Sequence, residues 1–442
     1  MFAPACYAIV CRMPTKSCRI KNSRTLGSTR LRKDAISVFE AGLDSICTGR
    51  VIKESVRIKG SKLHVGTQSW NLSDYHKIYV IGIGKAAADA GKEIENILGG
   101  RITSGVILDV KTVKLKRLKS LAGTHPFPSV ENVKATQEIV GILKHVEEHD
   151  LVIAIISGGG SALLCWPFEL KCGQLTMLTK TLMKKGATIQ EINTVRKHLS
   201  EIQGGQFAQM VYPATVIGLL FSDIPGDDPG MIASGPTVMD RSTKEDAARI
   251  MVKYDLQKSC RLPHCELLET PKDPKYFQRV TNIVIVGNSK ALDAMKKQAK
   301  KLGYLVRIYS CCLSGEAREV GRLLAGLPHK GEMVLAGGET TVTIKGKGKG
   351  GRNQEVALGA LSVIDDDVLV ASLASDGIDN SPAAGAFVDA DIRKRANRLK
   401  LNLETFLKRN DSFTFFKRVG GQIMTGVTGA NVSDLFLAVR KN

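Results

Sequence analysis

Residues 151–164 read LVIAIISGGGSALL: six apolar residues in a row, Leu151–Ile156, then Ser157, Gly158, Gly159, Gly160 and Ser161. The run is rich in Ile and Val and shows no apolar–polar alternation, so a strand formed by it must be covered on both faces. Strands of that kind belong to parallel sheets flanked by helices, which sets the expected class as α/β. The three glycines that follow leave backbone NH groups unobstructed by side chains, as an anion cradle requires.

The same alternation extends in both directions. Lys33–Cys47 has helical apolar spacing at Ile36, Phe39, Leu43 and Ile46. Lys77–Gly82, Gly105–Val110 and Ala214–Phe221 are expected strands. Lys85–Leu98, Glu131–His145, Gln174–Lys185 and Ile189–Leu199 are expected helices. Lys258–Gln278 interrupts the pattern with Pro263, Pro271 and Pro274, and is taken as the linker or a surface excursion between domains. Beyond it, Asn282–Val286, Glu332–Ala336, Thr340–Ile344, Asp367–Leu373 and Asp434–Val439 are expected strands. The expectation is two α/β domains with largely parallel sheets, spanning 34–270 and 271–442, with the active site in the cleft between them.

The chain has 442 residues, 43% hydrophobic and 24% charged, with no apolar run approaching the ~18 residues of a membrane helix. The formal net charge of +20 favours anionic partners. Residues 1–33 hold eight Lys or Arg, several serines and no acid, a leader composition that resembles a mitochondrial transit peptide; a basic tail on a cytosolic chain is the other reading. The 10 cysteines show neither CxxC pairs nor metal-ligand spacing with histidine.

Four glycine-bearing or acidic turns follow expected strands. Gly82-Ile83-Gly84-Lys85 opens a helix, where NH groups and the Lys85 charge favour an anion. Gly82, Gly84 and Ala87 also satisfy a dinucleotide fingerprint, and Asp109 closes the next strand, so a nicotinamide site stays open. Ser157–Ser161 is a candidate phosphate cradle without the Lys-Ser/Thr ending of a Walker A loop. Gly337-Gly338-Glu339 precedes Lys345-Gly346-Lys347-Gly348-Lys349-Gly350, a mobile cationic loop in this reading. Arg352 and Asn353 then open a helix, and the guanidinium suits bidentate contact with a phosphoryl or carboxylate group. Asp223, Asp227 and Asp376 stand at strand ends, where Mg²⁺ finds oxygen ligands; Asp is also an ordinary turn former. Asn193, Arg196 and Lys197 gather on one helix, where the two cations could hold a carboxylate, and His125 sits in a proline turn.

The ordered set GIGKAA, THPFP, SGGGSALL, INTVRKHLS, SDIPGDDPGMIASGPT, GGRNQE, SDGID and TGVTGANVSDL resembles the class II glycerate 2-kinases, whose C-terminal domain is called MOFRL. The likeness covers about residues 35–438. It implies ATP- and Mg²⁺-dependent phosphorylation of D-glycerate at the 2-hydroxyl, with Lys85 and Arg352 catalytic. Ser157–Ser161, Lys347, Lys349 and Asn353 are then expected on the nucleotide, and Asp223, Asp227 and Asp376 on the metal. His125, Asn193, Arg196 and Lys197 are expected on the substrate. The final turn departs from the family's usual GPTGTNVND at Val427, Ala430 and Ser433 but keeps Asn431 and Asp434. The rival enzyme is an NAD(P)H-dependent hydroxypyruvate reductase. An RNA-binding protein rests on charge alone, since no RNP, KH or zinc pattern supports it. No nucleic-acid or membrane partner is expected.

Overall fold

A computed structural model, which describes residues 19–260 and 265–442, contains two six-stranded sheets and a three-stranded meander. The meander is β1 (Val56–Lys59), β2 (Lys62–Val65) and β3 (Gln68–Asn71). The first large sheet comprises β4 (Ile78–Ile83), β5 (Ser104–Asp109), β6 (Lys119–Ala122), β7 (Leu151–Ser157), β8 (Thr215–Phe221) and β9 (Val280–Val286). Its order is β6-β5-β4-β7-β8-β9, and every pairing is parallel. The chain starts in the middle with β4, winds outward to β6, then crosses back to β7. That reversal creates a crevice beyond the carboxyl ends of β4 and β7, where doubly wound sheets bind ligands. Every residue of β4 and of β7 is buried, as the unbroken apolar run requires.

The second sheet comprises β10 (Leu305–Leu313), β11 (Glu332–Gly338), β12 (Val368–Ala374), β13 (Gly385–Val388), β14 (Gln422–Ile423) and β15 (Asp434–Arg440), in the order β10-β11-β15-β12-β13-β14. Here the parallel expectation narrows to β10 with β11; the other pairings are antiparallel. The connection from β12 to β13 has no helix to cross over with, and the terminal strand β15 returns between β11 and β12 against both. Thr340–Ile344 forms no strand, only one isolated bridge from Thr341 to Glu316.

The boundary expected at 270/271 also moves. β9 lies beyond it yet completes the first sheet, so the chain changes domain after Val286. The proline-bearing segment before β9 is an excursion on the first domain. The leader boundary at residue 33 shifts as well: of the eight basic residues, only Arg12 and Lys16 lie outside the described part. Arg32 is buried and pairs bidentately with Asp389, Nε to Oδ2 at 2.6 Å and Nη2 to Oδ1 at 2.7 Å. Its helix, Arg30–Ser45, packs on the helix Asn288–Lys301, close enough that a Cβ on Gly42 would stand 2.8 Å from Met295 Cγ. Val38 and Phe39 join Ile155 and Leu219 of the first sheet to Leu335 and Leu369 of the second in one apolar core. Among the described residues, no helix is long and apolar enough to cross a membrane.

Candidate active site

The crevice at the reversal of the first sheet opens onto a cavity of about 290 Å³. Lys85, Ser157, Gly158 and Asp223 line it from the first domain; Asp376, Ile378, Val427 and Asn431 line it from the second. A larger cavity of about 660 Å³ adjoins it in the second domain, bounded by Glu339, Arg352 and the backbone of Gly346, Gly348 and Gly350. Asp376 and Ile378 line both.

The first glycine turn serves packing rather than anion binding. Gly84 N donates to Leu108 O, Lys85 N to Gly158 O, Ala86 N to Ser157 Oγ, Ala87 N to Gly84 O and Ala88 N to the Asp109 carboxylate. No free NH group remains there for a pyrophosphate, and Asp109 is wholly buried as the cap of that helix. A Cβ on Gly82 or Gly91 would come within 2.6 or 2.7 Å of Ile107 Cδ1, so these glycines let helix and sheet approach. The anion-cradle reading of the backbone of residues 82–87 is therefore corrected. What remains at this turn is the Lys85 side chain, exposed and without a hydrogen-bond or ion-pair partner among the described residues.

The second glycine turn has the opposite character. The NH groups of Gly159, Gly160 and Ser161 find no acceptor among the described residues. Gly159 takes φ +80°, and a Cβ there would lie 3.0 Å from Lys85 Cε and 3.1 Å from His125 Cδ2, so any larger residue would crowd both. Ser157 is otherwise employed: its hydroxyl accepts from Ala86 N and donates to Ile83 O at 3.2 Å. Ser161 Oγ meets Ser234 Oγ at 2.8 Å, and Ser234 donates to Asn193 Oδ1 at 3.2 Å. Ser234 sits between Ala233 and Gly235 in a run of three left-handed residues, a conformation that the surrounding packing must impose.

Arg196 donates to the same Asn193 oxygen at 3.2 Å and has no carboxylate partner among the described residues. Burial lowers its pKa to about 10, which leaves it cationic at neutral pH. A deeply set charge without a counter-ion is a ready anion receptor. Lys197, its neighbour, is not: its ammonium is buried against Asp240 Oδ1 at 3.1 Å, so the expected substrate contact is withdrawn. His125 is lowered to about 4, first by burial of its ring away from water and second by the charge of Lys85, so it is neutral in the physiological range.

Asp223 lies over Gly158, where a Cβ would fall 1.8 Å from Oδ2. Burial raises its carboxyl to about 6; Lys85 opposes the shift and Glu339, from the other domain, adds to it. Asp223 and Asp376 thus face one cavity. Asp227 does not line it: its carboxylate stands against Gly287 and accepts from Ser289 Oγ at 3.2 Å, at the start of the helix Asn288–Lys301, so it leaves the metal set. Among the described residues no three His, Cys, Asp or Glu side chains gather as a metal centre.

In the second domain Arg352 is held by Asp434 on one side and by Glu339, through Nη1, on the other. Burial opposes its charge, but the two carboxylates outweigh it and hold its pKa above the ordinary value. Burial pushes Asp434 up to about 6 against the pull of Arg352. Asn353 is fully buried, its amide donating to Asp434 and Asp379 and its oxygen accepting from Ser372, so it orders the site from behind and cannot reach a nucleotide. The lysine loop is pinned rather than mobile. Asn410 Oδ1 accepts from Lys345 N and Gly346 N, Gly348 N donates to Arg409 O, and Asp411 Oδ1 accepts from Lys349 N. Lys347 is exposed, while Lys349 Nζ lies 4.9 Å from the Phe413 ring centre, turned to that aromatic face. It is the loop's backbone that borders the larger cavity. Glu339, Asp434 and Ser234 were not expected; each stands in a turn quoted from the sequence, but nothing local says which partner it meets.

Family models match this chain twice: a domain of unknown function, DUF4147, over residues 34–269, and the MOFRL family over 332–434. A glycerate 2-kinase of Pyrococcus horikoshii is 38% identical over 88% of this chain and 93% of its own length. An Agrobacterium vitis protein provisionally named hydroxypyruvate reductase is 37% identical, over 80% of this chain and 85% of its own. The crystal structure of a glycerate kinase from Thermotoga maritima superposes with a TM-score of 0.81 at 33% identity, covering 93% of this chain and 99% of that one.

Proposed function

The chain belongs to the glycerate kinase family with a MOFRL C-terminal domain, and from that premise we propose that it transfers the γ-phosphoryl group of ATP to the 2-hydroxyl of D-glycerate. The observation that carries this reading is the unpartnered Lys85 ammonium beside the free NH groups of Gly159–Ser161, facing the second domain across a cavity sized for a small acid. Phosphoryl transfer needs mainly positioning and neutralisation of charge, and this arrangement supplies both.

The glycerate carboxylate is assigned to the Gly159–Ser161 NH groups and Arg196, which leaves its 2-hydroxyl toward Lys85 and Asp223. The nucleotide is assigned to the larger cavity, its phosphates running along the backbone of the 346–351 loop toward Arg352. Lys85 and Arg352 then approach the transferring group from opposite domains. Asp223 and Asp376 fit the one or two carboxylates that Mg²⁺ takes beside substrate phosphates, and a bound ion would offset developing charge there. Glu339 must release Arg352 Nη1 for the guanidinium to reach a phosphoryl oxygen.

The reductase reading is disfavoured by the first glycine turn. Its NH groups are all spent within the protein and Asp109 cannot reach a ribose. Incubation with ATP, Mg²⁺ and D-glycerate should give 2-phosphoglycerate, identified by the phosphorylated carbon. Phosphate on the 3-position, or turnover only with NADH and hydroxypyruvate, would refute the assignment. The basic N-terminal stretch supports mitochondrial import; a tagged chain found only in the cytosol would remove that part.

A further inference from the structure

The loop from β14 to β15 walls the smaller cavity through Val427, Gly429, Ala430 and Asn431. Gly426 and Gly429 take left-handed φ of +67° and +76°, so the loop has little stiffness of its own. Its order comes from bonds made outside its sheet. Thr428 N donates to Asp376 O at 3.0 Å and Thr428 Oγ1 to Ser375 O at 2.5 Å, which couples it to the other cavity-lining turn.

Thr48 Oγ1 donates to Gly429 O at 3.4 Å and Ser433 Oγ to Asp223 O at 2.5 Å, and further anchors come from the far end of the chain. Lys21 N donates to Met424 O at 2.7 Å. The Asn22 amide spans two backbone groups, donating from Nδ2 to Gln422 O at 2.8 Å and accepting at Oδ1 from Met424 N at 3.0 Å. Arg19 reaches furthest, with Nη1 donating to Thr428 O at 3.2 Å while Nε pairs with Asp44 at 3.3 Å. Ile20, between them, is fully buried.

We infer that Arg19–Asn22 is a strap that positions the second domain's wall of the substrate cavity, and that Arg19 and Asn22 act as positioning residues for the reaction. Besides Gln422 of β14, the strap bonds backbone groups of a glycine-bearing loop, so releasing it lets Val427–Asn431 drift away from Lys85 while β4 and β7 keep their pairing. The inference rests on reading that cavity as the hydroxy-acid site. It also bounds any processing of the basic N-terminus: a cut behind Arg19 would remove part of the site's scaffold.

The test uses the full-length chain with Arg19→Ala, Arg19→Lys and Asn22→Ala. Backbone hydrogen exchange should quicken by about threefold to tenfold at residues 424–430, as loss of single hydrogen bonds gives, while exchange in β4 and β7 stays at the native rate. The KM for D-glycerate should rise by a similar factor with kcat within about twofold of native. Arg19→Lys, which keeps a donor at that place, should move KM less than Arg19→Ala. Unchanged exchange at 424–430 overturns the strap, and faster exchange with an unchanged KM overturns its positioning role. Should the native chain show no glycerate-dependent turnover, the functional reading falls on its own, and the exchange measurement still decides the strap.

Discussion

Arg352 meets Asp434 through two nearly parallel hydrogen bonds, Nε to Oδ2 at 2.6 Å and Nη2 to Oδ1 at 3.1 Å, which turn its remaining nitrogen, Nη1, toward the larger cavity. A guanidinium gripped this way has lost its rotational freedom before any ligand arrives, and only the edge facing Glu339 is available for exchange. Asp434→Asn should therefore lower kcat by about 10- to 100-fold through a misaimed Arg352. Combined with Arg352→Ala it should add little further loss. A double-mutant cycle measures this, and fully multiplicative losses would show that the two residues act independently.

Lys85, like Arg196, is a cation without a carboxylate partner among the described residues, and its replacement tests charge rather than fold. Lys85→Met preserves the aliphatic stem and should reduce kcat by about 100-fold or more, with the melting temperature close to native. Turnover within tenfold of native would remove it from the transition state.

Asp223 carries a cost that the proposed contact with a metal ion would explain. Its carboxyl is raised to about 6, so the folded protein holds a proton there that the unfolded chain has already released. Stability contributed by that proton is complete below the unfolded value, declines through pH 4–6 and is gone above it. Asp223→Asn should thus be more stable than native by about 1–3 kcal/mol at pH 7.5, a difference that vanishes near pH 4. The variant should also lose turnover, and the native acid limb of kcat/KM should fall with an apparent pKa near 6. Chemical unfolding at several pH values, run beside pH–rate profiles, checks both signs. A variant less stable than native at pH 7.5 would contradict the burial account.

Asp109 separates the two enzyme readings. As a buried cap accepting from Ala88 N at 2.8 Å, it should matter for stability: Asp109→Ala is expected to cost about 1–3 kcal/mol, with the KM for ATP unchanged in the protein that remains folded. A changed nucleotide preference with native stability would reopen the nicotinamide site.

The parallel first sheet was legible because it is written in contiguous residues. Leu151–Ile156 has no polar position to spare for solvent and Ala214–Phe221 only the half-buried Thr215 near its start, and burial on both faces follows from that. Motif spacing likewise singled out Lys85, Asp223, Asp376 and Arg352, which line the two cavities, and Gly159, which adjoins Lys85. The second sheet was harder to read, because β10 alternates in exposure at an edge and β13–β14 are short. Strand direction there depends on which neighbour a strand finds.

What the sequence by itself determined is the class of fold and the set of turns from which the site is made, since periodicity and glycine spacing act over a few residues; the family came from the resemblance of its ordered motifs. Only the tertiary structure decided which charges are free. Lys85 and Arg196 keep theirs, whereas Lys197 is paired with Asp240, and Asp227 is turned away from the cavity toward Gly287 and Ser289. Local sequence cannot carry that information, because a partner 43 residues away, or a strap some 400 residues away, is brought into hydrogen-bonding range only when the sheets fold and pack.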